Sequence, residues 1–220
     1  MAPPFLAYYA VSTNNESLLR DSIKQAEFYR EILHHNTTEP YKGLWEHIIG
    51  DPNGWGDRGL WSTGNGWAVA GMVRVLFTVY KWGSVPKWRY ELSQLTAYIK
   101  EIIDGAMNVD RPDGLLRNYL NDTTWFGEIS GTAIITASVY RMALLLPQSE
   151  FNTKKYIDWA EENRKAVARH VDKETGIIKP AVNPLNWGDR NEFVTGSPEG
   201  QSFGILLYTA WRDWKCANKA

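Results

Sequence analysis

An all-α fold of repeated helical hairpins is what the sequence predicts, and three observations carry that prediction. A glycine-led anchor recurs at about 62–71 residues, as Gly43-Leu44-Trp45, Gly114-Leu115-Leu116 and Gly176-Ile177-Ile178. A second anchor follows each one: Ser62-Thr63-Gly64, Ser130-Gly131-Thr132 and Ser197-Pro198-Glu199-Gly200 open apolar runs, each with a small polar residue placed to cap a helix. Thirdly, two kinds of helix alternate, one amphipathic and one apolar on nearly every side. Each unit therefore reads as loop, cap, apolar helix and amphipathic helix.

The elements follow in order. Pro4–Val11 is a lone apolar helix carrying Phe5, Leu6, Tyr8 and Tyr9 with no cap before it. Leu19, Ile23, Ala26 and Leu33 mark an amphipathic partner. Trp67–Tyr80 is apolar nearly all round, as expected of a helix covered on both sides. In Trp88–Ile103 the set Trp88, Leu92, Leu95, Ile99 and Ile102 keeps helical spacing while Glu91, Lys100 and Glu101 face away, so that helix is half exposed. Ala133–Leu146 repeats the apolar kind, Ile157, Ala160, Val167 and Val171 the amphipathic kind, and Phe203–Trp211 closes the series. The total is about seven helices, arranged as two concentric rings or as a stacked solenoid. Only short pieces such as Gly176–Pro180 have strand character, and these are expected as loop hairpins at one rim.

A chain of 220 residues fits one domain, 1–220. With 24 basic and 25 acidic residues and no basic run, it lacks the footprint of a nucleic-acid binder. Its apolar runs are interrupted by Arg74 and Arg141 and are shorter than the roughly 20 residues a bilayer requires, so no membrane partner is expected. The single cysteine, Cys216, excludes an internal disulfide and a cysteine-cluster metal site. Sequons at Asn15, Asn36 and Asn121 lie in polar stretches and are candidate glycosylation sites. The beginning, from Met1 to Tyr9, has neither the charged region nor the cleavage site of a signal peptide. Together with the uncapped first helix, this leads us to expect the C-terminal portion of a longer domain, secreted in its full-length form.

Trp45, Trp55, Trp61, Trp67, Trp125 and Trp187 fall in or beside the repeat loops. Loops of a helical ring converge at one mouth, and flat aromatic faces with amides and carboxylates nearby suit a sugar ring. The most pointed segment is Gly59-Leu60-Trp61-Ser62-Thr63-Gly64-Asn65-Gly66-Trp67, where two glycines flank Asn65 just before a helix N-terminus.

That segment resembles the Trp-x-x-Gly-Asn-Gly-Trp motif of the unsaturated rhamnogalacturonyl hydrolases, glycoside hydrolase families 105 and 88. The resemblance extends through Met1–Tyr9, Leu44-Trp45-Glu46-His47, Ala181–Trp187 and Pro198–Phe203, and is nearest to fungal secreted members. It implies an (α/α)6 toroid of six hairpins, here incomplete. It also implies hydration of the 4,5-double bond of an unsaturated uronic acid in pectin-derived oligosaccharides, without a cofactor or metal. In that family an aspartate serves as acid and base a few residues before the segment that begins here at Met1. No catalytic residue is therefore assigned, and no turnover is expected of this chain alone. Carried over by position, Trp45, His47, Trp61, Thr63, Asn65 and Trp67 line the sugar site, with Glu199 as a further contact. Thr63 stands where bacterial members often have arginine, so the uronate carboxylate needs another partner.

Other readings of the same residues remain. Glu199 and Glu128 serve either a helix N-terminus or a sugar. His34, His35 and His170 suit helix C-termini, and Asp51 and Asp57 read as turn formers. An inverting glycosidase using Glu46 and Glu199, a non-catalytic carbohydrate-binding protein and an α-solenoid interaction protein are the alternatives.

Overall fold

The computed structural model describes residues 2–34, 38–50, 54–82 and 85–218. Seven α-helices are present among them: α1 Ala2–Ser12, α2 Glu16–Leu33, α3 Ser62–Lys81, α4 Arg89–Met107, α5 Ile129–Leu145, α6 Lys154–Arg169 and α7 Pro198–Ala217. No strand longer than an isolated bridge occurs among the described residues. The helices form two layers: α1, α3, α5 and α7 lie side by side, and α2, α4 and α6 each back onto the helix that precedes them. The architecture is an arc of an α/α toroid, with the odd-numbered helices inside.

The amphipathic helices bury most of the stripe their spacing foretells. In α2 Leu19, Ile23 and Ala26 are buried and Leu33, at the helix end, is half-buried; in α4 Leu92, Leu95, Ile99 and Ile102 are buried. In α6 Ala160 and Val167 are buried as expected, but Ile157 is half-buried and Val171 lies past the helix end, and Tyr156 and Trp159 complete the buried face. Arg30 donates two bonds to Glu101, at 2.5 and 2.9 Å, and ties α2 to α4. The apolar kind divides. Only α5 is buried nearly all round, because α3, α7 and α6 cover it on three sides. The expectation of full cover fails at both ends of the arc. Phe5, Tyr8 and Tyr9 of α1 and Ile205 of α7 are exposed, since α1 and α7 each have an inner neighbour on one side only.

Close approach of the inner helices depends on glycine. A Cβ on Gly66 would sit 2.2 Å from Cγ2 of Ile134, and one on Gly131 would sit 2.3 Å from Oγ of Ser62, so α3 and α5 meet at a distance no other residue permits. The repeat anchors have a different cause: Gly43, Gly114 and Gly176 all adopt positive φ, the left-handed conformation that reverses the chain into each rim loop.

The caps differ from the expected ones at two of three positions. Ser197 caps α7 by accepting from the Gly200 amide, as expected. At α3 the cap position belongs to Trp61, without a side-chain bond, and Ser62 is already helical. At α5 the cap is Glu128, which accepts from the amides of Ser130 and Gly131. A carboxylate reaches two amides where a serine hydroxyl reaches one, and it adds charge favourable to the helix dipole. His170 ends α6 and lies 2.8 Å from the Ala166 carbonyl through Nδ1, and His34 ends α2; His35 lies outside the described residues. No described helix is long and apolar enough to cross a membrane.

Candidate active site

The four inner helices all begin at one rim, and the loops between hairpins gather there. Short antiparallel bridges, Ile48 with Asp57, Trp61 with Tyr119 and Ala181 with Phe193, stiffen those loops. Between α1, α2 and α3 opens a cleft of about 170 Å³ lined by Pro3, Pro4, Trp45, His47, Trp61, Asn65 and Trp67. Five residues that the sequence places at the sugar site thus share one cavity wall.

The exposed centre of the rim is an aromatic cluster. The His47 ring lies 4.5 Å from the Trp61 ring and 5.1 Å from the Trp187 ring, edge-on to the latter, and the two indoles are 6.4 Å apart. Beneath it, Nδ1 of His47 is 2.9 Å from Oδ2 of Asp57. Asp57 also accepts from the Gly59 amide and, through a short bond, from the Tyr119 hydroxyl. Burial alone would raise the Asp57 carboxyl; the bonds from Tyr119, His47 and Gly59 outweigh it and hold the group below its ordinary value. Burial and the Asp57 charge push the Tyr119 hydroxyl far up. His47 is thereby oriented by a carboxylate behind it, with its other edge among the indoles.

Two buried asparagines bracket the loops. Asn118 accepts from the Trp61 indole at 2.8 Å and donates to the Trp187 carbonyl at 2.9 Å, joining the two tryptophans through one amide. Asn65 accepts from the Trp45 amide at 2.8 Å and donates to the carbonyls of Trp45 and Trp61, each at 3.0 Å. Asn65 lines the cleft as expected, but it does so from behind: it is 2 % exposed and its donors and acceptor are committed to backbone. The expectation for Thr63 is corrected. It is fully buried, and its hydroxyl donates to Glu128 at 3.3 Å, because the first turn of α3 turns that face toward α5. Trp45 is 5 % exposed, and its indole N–H, though its ring lines the cleft, has no partner.

Trp67 projects across the inner face of the arc and donates from its indole to Oε1 of Glu199 at 2.7 Å. Burial raises the Glu199 carboxyl, the Trp67 bond lowers it, and the charge of Glu128 raises it further. Glu46 lines the cleft and is 3.0 Å from Arg58. Trp55 stands in solvent, and Trp125 is buried against Tyr119 under the guanidinium of Arg190, so neither belongs to the cluster. Asn15 caps α2, and Asn121 accepts from the Leu60 amide; both are exposed. Asn36 and Asp51 lie outside the described residues. Among the described residues no group of three or more histidine, cysteine or acidic side chains could hold a metal ion.

Sequence reasoning missed Asp57, Tyr119 and Asn118. The glycines around Asp57 account for its Asx-type bond to Gly59 but give no sign of His47, ten residues earlier. Tyr119 and Asn118 follow the second glycine anchor, where nothing in their spacing separates them from ordinary loop residues.

The inner helices of this arc of helical hairpins thus open on an aromatic, acid-bearing rim. The chain belongs to Glycosyl Hydrolase Family 88, whose sequence model matches residues 1–186. In structure it is similar to a possible GH105 member from Klebsiella pneumoniae subsp. pneumoniae MGH 78578, with TM-score 0.78, 19% identity and coverage of 94% of this chain and 52% of that one. A possible GH105 member from Salmonella enterica serovar Paratyphi A matches with TM-score 0.76, 19% identity and coverage of 94% and 53%. The unsaturated glucuronyl hydrolase of Bacillus sp. GL1, responsible for the degradation of glycosaminoglycan, matches with TM-score 0.69, 16% identity and coverage of 96% and 56%. The chain spans little more than half the length of these structures. No curated protein matches it in sequence.

Proposed function

We propose that this chain is the sugar-binding arc of an unsaturated uronyl hydrolase acting on pectin-derived oligosaccharides, with an unsaturated rhamnogalacturonan fragment as substrate. One observation carries the reading: Trp61, His47 and Trp187 form a bracketed aromatic cluster at the rim, held over the Asp57 carboxylate. Flat rings supply the apolar face of a sugar site, and His47, oriented by Asp57, and Glu199, held by Trp67, supply polar atoms beside them.

The chemistry in question is the hydration of an enol ether. Water gives a proton to C4 and its oxygen to C5, and the resulting hemiketal opens and releases the neighbouring sugar. A positioned acid and base are required, and the resemblance implies an aspartate for both. Our reading is that residues 1–220 bind the sugar without turning it over. In its full-length form the protein is secreted, of fungal type, and carries glycans at Asn15, Asn36 and Asn121.

The test is tryptophan fluorescence titrated with an unsaturated rhamnogalacturonan disaccharide. Saturable quenching that Trp61→Ala weakens at least about tenfold, roughly one well-placed aromatic contact, supports the reading. Quenching that is absent or indifferent to Trp61 refutes it. Loss of the double-bond ultraviolet absorbance on incubation would refute the statement that the chain lacks turnover.

A further inference from the structure

Two carboxyl groups at the rim sit in unlike surroundings. Glu128 is fully buried and accepts from five donors on three segments. These are the amides of Ser130 and Gly131 at 2.6 Å, the hydroxyls of Ser62 at 3.0 Å and Thr63 at 3.3 Å, and the Val182 amide at 3.4 Å. Glu199, in the first turn of α7, is half-buried and accepts one bond, from the Trp67 indole. The turns that carry the two groups are in contact. A Cβ on Gly200 would sit 2.4 Å from Cδ1 of Ile129 and 3.2 Å from Oγ of Ser130, the residues that follow Glu128.

The number of donors decides which carboxyl keeps its proton. A buried carboxylate is tolerated where N–H and O–H groups surround it, whereas one with a single donor and a negative neighbour is more stable neutral. Paired carboxyls therefore lose their protons in two separated steps. Burial raises both groups above the ordinary value; at Glu128 the bonds from Gly131, Ser130 and Ser62 oppose that rise without cancelling it, and at Glu199 only the Trp67 bond opposes it while the Glu128 charge adds to it. Trp67 from α3 and Glu128 from the start of α5 are the polar and charged groups that act on Glu199.

We infer that Glu128 is a positioning residue: its buried charge holds Glu199 as a neutral carboxylic acid, with one oxygen fixed by Trp67 and its O–H offered to a ligand oxygen on the inner face of the rim. The identity of the ligand rests on the sugar-binding reading above; the coupling between the two carboxyls does not. Affinity then falls as the pH rises through the Glu199 midpoint, because the ionised group cannot donate and repels an anionic sugar.

Carbon-13 NMR of protein labelled at the glutamate carboxyls, assigned with E199Q and E128Q, tests the pair. The Glu199 midpoint should lie above that of an exposed glutamate and fall by roughly one pH unit in E128Q. An unchanged midpoint in folded E128Q overturns the inference. Should E128Q fail to fold, the order of titration in the wild type decides: the Glu128 signal must pass its midpoint at lower pH than the Glu199 signal, and the reverse order overturns the inference. Fluorescence titration with unsaturated rhamnogalacturonan disaccharide at several pH values tests the donor role. Wild-type affinity should drop about tenfold across the Glu199 midpoint and E199Q should lack that drop; wild-type binding indifferent to pH overturns the role. Absence of quenching at every pH overturns the sugar reading and the donor role together, while the carboxyl coupling is judged by NMR alone.

Discussion

Replacing Asn65 with leucine, close to it in volume, removes the bracket on the first rim loop and leaves the apolar packing nearly unchanged. Three bonds are lost, to the Trp45 amide, the Trp45 carbonyl and the Trp61 carbonyl. Their consequences differ. The Trp61 carbonyl keeps the Asn65 amide as a helical partner at 3.0 Å, so it is not orphaned. The Trp45 amide and carbonyl lose the only partner seen for either, and Trp45 is 5 % exposed, so water has little access. Each buried orphan costs about 1–3 kcal/mol, which puts the variant about 3 kcal/mol below the wild type. Urea unfolding reads this directly: with a slope near 2.5 kcal/mol per molar, the midpoint falls by about 1.2 M. The companion variant Asn65→Asp keeps an acceptor for the Trp45 amide and sets a buried negative charge against two carbonyls, so it should recover stability as the pH is lowered and the carboxyl is protonated. A leucine variant within about 0.3 M of wild type would refute the assignment of Asn65 as a bracket and return it to the list of ligand contacts.

Asp57 is held below its ordinary value of 3.8, so its contribution to stability is present above that value and is lost as the pH falls through the lower folded midpoint. Asp57→Asn should therefore melt below the wild type at pH 7, with the gap narrowing under about pH 4; a constant gap in thermal scans counts against the argument. Gly131→Ala places a Cβ 2.3 Å from Ser62 Oγ and 2.7 Å from its carbonyl carbon, which must part α3 from α5 at about 1–3 kcal/mol in chemical denaturation. Asn118→Leu removes the amide that joins Trp61 to Trp187, and is expected to lose about 2 kcal/mol of stability together with most oligosaccharide quenching. If quenching survives intact, the cluster does not depend on that amide.

The helices were legible because their signal is local. Leu92, Leu95, Ile99 and Ile102 repeat at the helical period, and no distant residue is needed to recognise the face they make. The converging loops were half legible: Gly43, Gly114 and Gly176 announce the chain reversals, but the contacts that order the rim lie far apart in sequence. Asn118 meets Trp61 across 57 residues, and Glu128 meets Ser62 across 66. Polarity misled for the same reason. Thr63 and Asn65 beside glycines looked like groups aimed at a ligand, yet helix packing and loop bracketing consume their hydrogen bonds. Conversely Asp57 looked like turn chemistry, and only the fold brings His47 and Tyr119 to it.

The common origin of α1, α3, α5 and α7 at one rim has an electrostatic result of its own. At two of these starts the first-turn amides already meet side-chain acceptors: Glu128 takes those of Ser130 and Gly131, and Ser197 takes that of Gly200. A helix start favours negative charge through its dipole, so the buried Glu128 carboxylate sits where the backbone lowers its cost.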